Sequence, residues 1–172
     1  MEKGYVHLYT GDGKGKSTAA FGLALRAAMF GKKVYIGQFI KDMEYNETKI
    51  KDIVDNIVVE QLGRGCFIFE APEEEDKSAA MDGLKKCSDI LKSGDYDMVI
   101  LDEITIALYF KLFDVKDVVE AVKNRDEKVE VVMTGRYAPK ELYDIADLIT
   151  EMKEIKHYYN TEGLLARDGI ER

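Results

Sequence analysis

The residues best placed to do chemistry stand near the amino end, in the run Gly11-Asp12-Gly13-Lys14-Gly15-Lys16-Ser17-Thr18. It joins the apolar stretch Tyr5-Val6-His7-Leu8-Tyr9 to an alanine- and leucine-rich segment with helical patterning. Three glycines within five residues open backbone conformations closed to other residues, so successive amides can turn inward around one anion. A helix beginning directly after the loop aims the positive end of its dipole and its unpaired first-turn N–H groups at the same place. Lys16 supplies a cation, and the Ser17 hydroxyl is placed to ligate magnesium. Together these residues specify a polyphosphate site. The spacing departs from the Walker A pattern, which has four residues between its first glycine and the Gly-Lys pair. Here Gly11 and Gly15 enclose only three, Thr10 stands where the earlier glycine is expected, and the loop carries an additional lysine, Lys14.

A second constellation complements the first. Tyr96-Asp97-Met98-Val99-Ile100-Leu101-Asp102-Glu103 is an apolar strand ending in two carboxylates, the pattern that brings oxygen ligands for magnesium to the carboxyl edge of a parallel sheet, beside a phosphate loop. Alone it reads equally as a strand that ends in a helix cap; paired with the glycine loop it is a Walker B pattern. Arg136, just past a strand in Thr134-Gly135-Arg136, is either an anion clamp or a solvated side chain, and spacing does not decide between them.

These residues need a scaffold that delivers strand ends to one edge. Tyr5–Tyr9 should be the first, central strand, followed by a helix over Thr18–Phe30 that stops at Gly31, where Lys32 and Lys33 complement its negative end. A second strand over Val34–Ile40 leads into the polar Lys41-Asp42-Met43-Glu44-Tyr45-Asn46, at the edge where open α/β sheets bind ligands. A short helix over Glu47–Asp55, a strand over Ile57–Leu62 and the glycine-containing loop Gly63-Arg64-Gly65-Cys66-Phe67-Ile68-Phe69 come next. The acidic run Pro72–Asp76 reads as a solvated lead into a helix that ends at Gly94, with its charge favoured by the helix dipole. After the Walker B strand, helical patterns over Ile104–Phe113 and Val115–Asn124 precede a last parallel strand, Val129–Met133. Helix Pro139–Ala146, a strand-like Leu148–Met152 and a polar tail close the chain. The alternation predicts an α/β fold, a doubly wound and mostly parallel sheet with helices on both faces.

Composition bounds the function. With 172 residues and 46% hydrophobic content, a single domain with one sizeable core is expected. A net charge of −8 argues against a protein that grips a nucleic acid backbone, which takes clustered lysine and arginine. The polar loop arrives too early for a signal sequence or a membrane span, so a cytoplasmic protein without membrane contact is expected. Cys66 and Cys87 lack the spacing of a zinc or redox pair and read as two unpaired thiols. His7 has no second histidine at metal spacing and reads as a packed strand residue.

The whole set, from the shortened loop with doubled lysine through Gln38-Phe39-Ile40-Lys41, Gly63-Arg64-Gly65 with Phe67, Leu101-Asp102-Glu103, Thr134-Gly135-Arg136 and Ala146-Asp147 to Lys156-His157, resembles the P-loop type of ATP:corrinoid adenosyltransferase. The resemblance runs nearly end to end, and its most specific element is the loop. It implies a P-loop NTPase fold of the RecA-like kind and an enzyme of adenosylcobalamin biosynthesis or salvage. In that family a cob(I) corrinoid attacks the 5′-carbon of ATP and expels intact triphosphate. Cobalt is the nucleophile, so no general base is implied. By resemblance, Gly11, Asp12, Gly13, Lys14, Gly15, Lys16, Ser17 and Thr18 bind the triphosphate, with Arg136 a further candidate. Ser17 and Glu103 hold Mg2+, with Asp102 a candidate second carboxylate. The loop with Gly63, Gly65, Phe67 and Phe69 is the part that lies under the corrin ring and displaces its lower ligand, although two aromatics in a loop are equally core residues. Members often carry tryptophan where Phe69 falls, whereas this chain has none and adds Cys66. The resemblance also implies a homodimer and a reduced flavoprotein as electron donor. Only Met1–Gly4 precede the first strand, so the longer segment that covers the site in some members is expected to be missing, which leaves the enclosure of the corrinoid open.

Two other readings share these residues. A P-loop ATPase or nucleoside kinase would use the same loop and acidic strand and would release ADP. A nucleotide-gated corrinoid carrier would bind both ligands and form no cobalt–carbon bond.

Overall fold

The protein is described from a computed structural model that covers residues 3–40, 45–63 and 72–171. Six parallel strands form one sheet: β1 (Val6–Thr10), β2 (Val34–Gln38), β3 (Ile57–Gln61), β4 (Met98–Asp102), β5 (Glu130–Thr134) and β6 (Leu148–Glu151), in the order β3-β2-β4-β5-β1-β6. Between them run helices α1 (Lys16–Met29), α2 (Glu74–Ser93), α3 (Ile104–Tyr109), α4 (Val115–Lys123) and α5 (Lys140–Ile145), with α6 (Tyr158–Glu162) after β6. Among the described residues no helix is long and apolar enough to cross a membrane.

β2, β4 and nearly all of β5 are buried on both faces, which is why those strands read as nearly unbroken apolar runs. Alternation in β4 separates the two cores: Met98 and Ile100 pack with Ala20, Phe21 and Ala24 of α1, while Val99 and Leu101 pack with Leu84, Cys87 and Leu91 of α2 and Val118 and Val122 of α4. Small alanines on α1 let that helix lie close to the strands. Cys87 is a free thiol in the second core, and burial pushes its pKa up to about 12.

Three expectations change. β1 is interior but not central, since β4 and β5 occupy the middle and only β6 lies outside β1. Leu148–Glu151, which reads as merely strand-like, is a sixth parallel strand paired with β1 through His7–Leu148 to Thr10–Glu151; all four of its residues are exposed, so it has no buried face to betray it. The segment expected as a helix over Glu47–Asp55 is a 3₁₀ helix, Asn46–Asp52.

The carboxyl tips of β2, β4 and β5 are tied by side chains. Asp102, fully buried, accepts from Thr134 Oγ1 at 2.7 Å and from Gln38 Nε2 at 3.0 Å. Thr134 in turn accepts from the Glu103 N–H at 3.0 Å. That bond fixes a residue in an uncommon conformation, because Glu103 caps α3 with φ 60° and ψ 23°, a left-handed geometry that costs a non-glycine residue roughly 1–3 kcal/mol. Thr134→Val removes both bonds while keeping the shape of the side chain and takes one donor from a buried carboxylate. It should lower unfolding stability by about 1–3 kcal/mol, read as a reduced urea midpoint with unchanged slope. A midpoint equal to wild type would show that the tie carries no stability.

Candidate functional site

One cavity of about 730 Å3 opens at the carboxyl edge of the sheet, lined by Asp12 to Thr18, Phe21, Ile40, Tyr45 to Glu47, Glu103, Ile106, Phe110, Arg136, His157 and Gly169 to Glu171. The glycine loop forms its floor. α1 begins at Lys16, two residues earlier than its sequence pattern suggests, with Gly15 as its cap at φ 118°. The first intrahelical bond runs from Ala19 N–H to Gly15 O at 2.7 Å, so the amides of Lys16, Ser17 and Thr18 have no partner within the helix and belong to its positive end.

The loop is shaped from behind by the end of β6. Met152 N–H donates to Thr10 O at 2.8 Å, and Gly13 N–H donates to Met152 O at 2.7 Å. A Cβ at Gly11 would lie 2.5 Å from Met152 O, and one at Gly13 2.7 Å from the same atom. Two loop glycines are therefore required by backbone packing, and the Gly13 amide is given to Met152 rather than turned toward an anion.

Lys16 is buried and its ammonium donates to Gly13 O at 2.6 Å. Burial lowers its pKa, the nearby Arg136 lowers it further, and Glu103 and Asp12 act in the opposite sense. Holding a charged ammonium there is costly, and a bound polyanion would relieve that cost.

Arg136 and Glu103 line the same cavity. Gly135, at φ 133°, passes so close to α3 that a Cβ would sit 2.2 Å from Thr105 Oγ1 and 3.3 Å from Glu103 Oε2. Thr105 Oγ1 donates to Arg136 O at 2.5 Å, which anchors the arginine beside the cavity.

The cavity thus gathers Asp12, Gly13, Lys14, Gly15, Lys16, Ser17, Thr18, Glu103 and Arg136. Gly11 shapes the loop without lining the cavity. Asp102 does not line it either: its two oxygens face Gln38 and Thr134, so it stands behind Glu103. Gly63, with φ 123° and a Cβ position 3.2 Å from Phe39 O, lies outside the lining. Gly65, Cys66, Phe67 and Phe69 fall outside the described residues. Residue sets that the sequence leaves without a role also appear: the aromatic wall of Phe110 with Ile106, and the chain's last turn, Gly169 to Glu171. Phe110 sits in a plain helical pattern and Glu171 in a polar tail, and neither carries a local signal of a site.

The site suits magnesium held together with phosphate. Among the described residues there is no group of three histidine, cysteine or acidic residues that could hold a metal by itself, but Ser17 and Glu103 face one cavity. Mg2+ keeps several waters and takes one or two protein ligands plus substrate phosphates, and these two residues fit that habit.

Comparison with known proteins follows the same line. The sequence matches the model of the family described as ATP:corrinoid adenosyltransferase BtuR/CobO/CobP over residues 2–172. It is 38% identical over 175 residues to a corrinoid adenosyltransferase of a Sinorhizobium species, covering 99% of this chain and 81% of that protein. It is 33% identical over 171 residues to corrinoid adenosyltransferase CobA of Salmonella typhimurium and 32% identical over 170 residues to the corrinoid adenosyltransferase of Escherichia coli K12, with 99% of this chain and 86% of each relative covered. The family match spans the loop, the acidic strand and every element between them, and on that ground the chain belongs to the ATP:corrinoid adenosyltransferase family.

Proposed function

We propose that the chain transfers the 5′-deoxyadenosyl group of ATP to the cob(I) centre of a corrinoid and releases inorganic triphosphate. The observation that carries the reading is the convergence of Lys14, Lys16 and Arg136 on one cavity that also holds Glu103, in a chain of this family. In the reaction the cobalt electron pair forms a bond to the ribose 5′-carbon, the carbon–oxygen bond to the triphosphate breaks, and its electrons leave on the triphosphate. The protein's task is then to hold three phosphates as one leaving group while the 5′-carbon stays accessible.

We assign the roles from position in the cavity and, for the corrinoid loop, from the family alone. Lys16 and the first-turn amides of α1 take the phosphates directly, Lys14 and Arg136 add charge from either side, and Gly11, Gly13 and Gly15 set the loop's path. Asp12 lines the cavity beside Lys16 and contributes its main chain. Ser17 and Glu103 hold Mg2+, whose charge would offset that developing on the leaving group. Asp102 acts through Thr134 to fix Glu103. The loop with Gly63, Gly65, Phe67 and Phe69 takes the corrinoid. A homodimer, a reduced flavoprotein donor and a cytoplasmic setting complete the proposal.

ATP, magnesium and cob(I)alamin incubated anaerobically with the protein should yield adenosylcobalamin and triphosphate in equal amounts. ADP accumulating over an unalkylated corrin spectrum would replace this reading with that of a P-loop ATPase or nucleoside kinase, in which a phosphorus–oxygen bond breaks. Binding of both ligands without either product would favour the carrier. Lys16→Ala should weaken ATP binding by the worth of a charge-assisted contact, roughly 1.5–3 kcal/mol, by calorimetry on a protein of unchanged circular dichroism; wild-type affinity would remove Lys16 from the phosphate site. Glu103→Gln keeps shape and loses charge, so the magnesium activation curve should move to higher concentration while ATP affinity changes less. A superimposable curve would take Glu103 out of the metal site.

A further inference from the structure

The last turn of the chain fills part of the nucleotide cavity with a carboxylate. Glu171 Oε1 accepts from Lys14 Nζ at 3.1 Å, from Arg167 NH2 at 3.2 Å and from the Tyr158 hydroxyl, while Oε2 accepts from Arg167 N–H at 2.9 Å and Arg167 Nε at 3.2 Å. The cradle is itself braced. Tyr158 also accepts from Lys14 at 3.4 Å, the Arg167 guanidinium lies 5.0 Å from the centre of the Tyr158 ring, and Glu171 N–H closes the turn on Arg167 O at 3.0 Å. Five donors, three of them from the two cationic side chains Lys14 and Arg167, surround one anionic group. This is the donor set that recognises a phosphate, and a fork of arginine nitrogens with a backbone amide suits two oxygens of the same group.

One of those donors is Lys14, the extra lysine of the shortened loop. Its ammonium does not turn back onto its own loop as that of Lys16 does, but is held by Glu171 across 157 positions of sequence. Glu171, Gly169 and Ile170 line the same cavity as Lys16 and Ser17, so a polyphosphate on the loop and the Glu171 carboxylate compete for one lysine.

We propose that the cradle of Lys14, Tyr158 and Arg167 is a phosphate subsite of the nucleotide cavity, filled here by Glu171 of the same chain, and that an incoming polyphosphate takes that carboxylate's place. The proposal rests on the cavity being the ATP site. A phosphate offers more charge and three acceptor oxygens against one carboxylate's two, so the exchange runs toward the nucleotide. It also brings Arg167 to the triphosphate, a residue at which the sequence holds no motif. The Glu171 carboxylate therefore senses occupancy, leaving the cradle when the nucleotide is in while Tyr158 and Arg167 stay beside Lys14.

The test is ATP binding by calorimetry to wild type, Glu171→Gln and Glu171→Gln/Arg167→Ala, with inorganic triphosphate as a second probe. Glutamine keeps the size of the side chain and removes the competing charge, so Glu171→Gln should bind both probes roughly two- to fivefold more tightly, the range of a partly exposed ion pair. Adding Arg167→Ala should cancel that gain, because the freed arginine is then missing. Unchanged or weaker binding by Glu171→Gln would overturn the proposal, and so would a gain that survives loss of Arg167. These failures leave the function reading intact, since wild type still binds ATP and forms triphosphate. Wild type that binds no ATP would defeat both.

Discussion

A carboxyl group with no exposure to water sits where the middle strands of the sheet end, and the site is arranged around the need to satisfy it. Burying Asp102 without partners would cost more than most single contacts return. Gln38 from β2 and Thr134 from β5 meet that need from either side of β4, so three strand tips are locked in one register. Thr134 then holds Glu103 in its left-handed conformation. The acidic pair is thus divided by burial: the first carboxyl organises the sheet edge, and the second is delivered to the cavity.

Much of this was legible in the sequence, for identifiable reasons. The strand from Met98 to Asp102 is buried on both faces, so its apolar run followed by acid leaves little room for another reading. The phosphate loop announces itself by glycine spacing and Lys16. Spacing alone did not divide the roles of Asp102 and Glu103, because adjacent acids look alike until the pleat sends one inward; the preference for Glu103 came from the family resemblance. It also credited every loop glycine to anion binding, whereas Gly11 and Gly13 are demanded by the backbone of Met152, a constraint from more than a hundred residues away. β1 looked central because the loop it carries is central to function; the sheet order shows the two ideas to be independent.

What stayed hidden lies at the carboxyl end. β6 has four exposed residues and so lacks the alternation that marks a half-buried strand. Its existence depends on β1 pairing rather than on its own pattern. The turn holding Glu171 has no apolar period, its one Ile170 being exposed, and its placement at the cavity comes from Lys14 and Tyr158. Long-range polar contacts of this sort leave no period in the sequence, and they are where a site is completed after the core has settled the fold.

The two histidines show how the chemistry differs from that of a hydrolase. His7 is engaged on β1, with Nε2 2.7 Å from Glu130 and Nδ1 3.1 Å from the Tyr9 hydroxyl. His157 lines the cavity, but its Nδ1 accepts the Tyr159 N–H at 3.0 Å and so caps α6. Neither is arranged as a base against a nucleophile, and the proposed reaction asks for none, since cobalt brings its own electron pair. What it asks for is charge to receive a departing triphosphate. The cations converge on that demand: Lys16, its pKa lowered by burial, Lys14 and Arg136 on the cavity walls, and Arg167 behind Glu171. A buried ammonium that is costly to keep charged alone becomes favourable beside a polyanion, and most favourable as negative charge builds on the leaving oxygen. The burial that lowers the pKa of Lys16 is the property that would make it effective in the transition state.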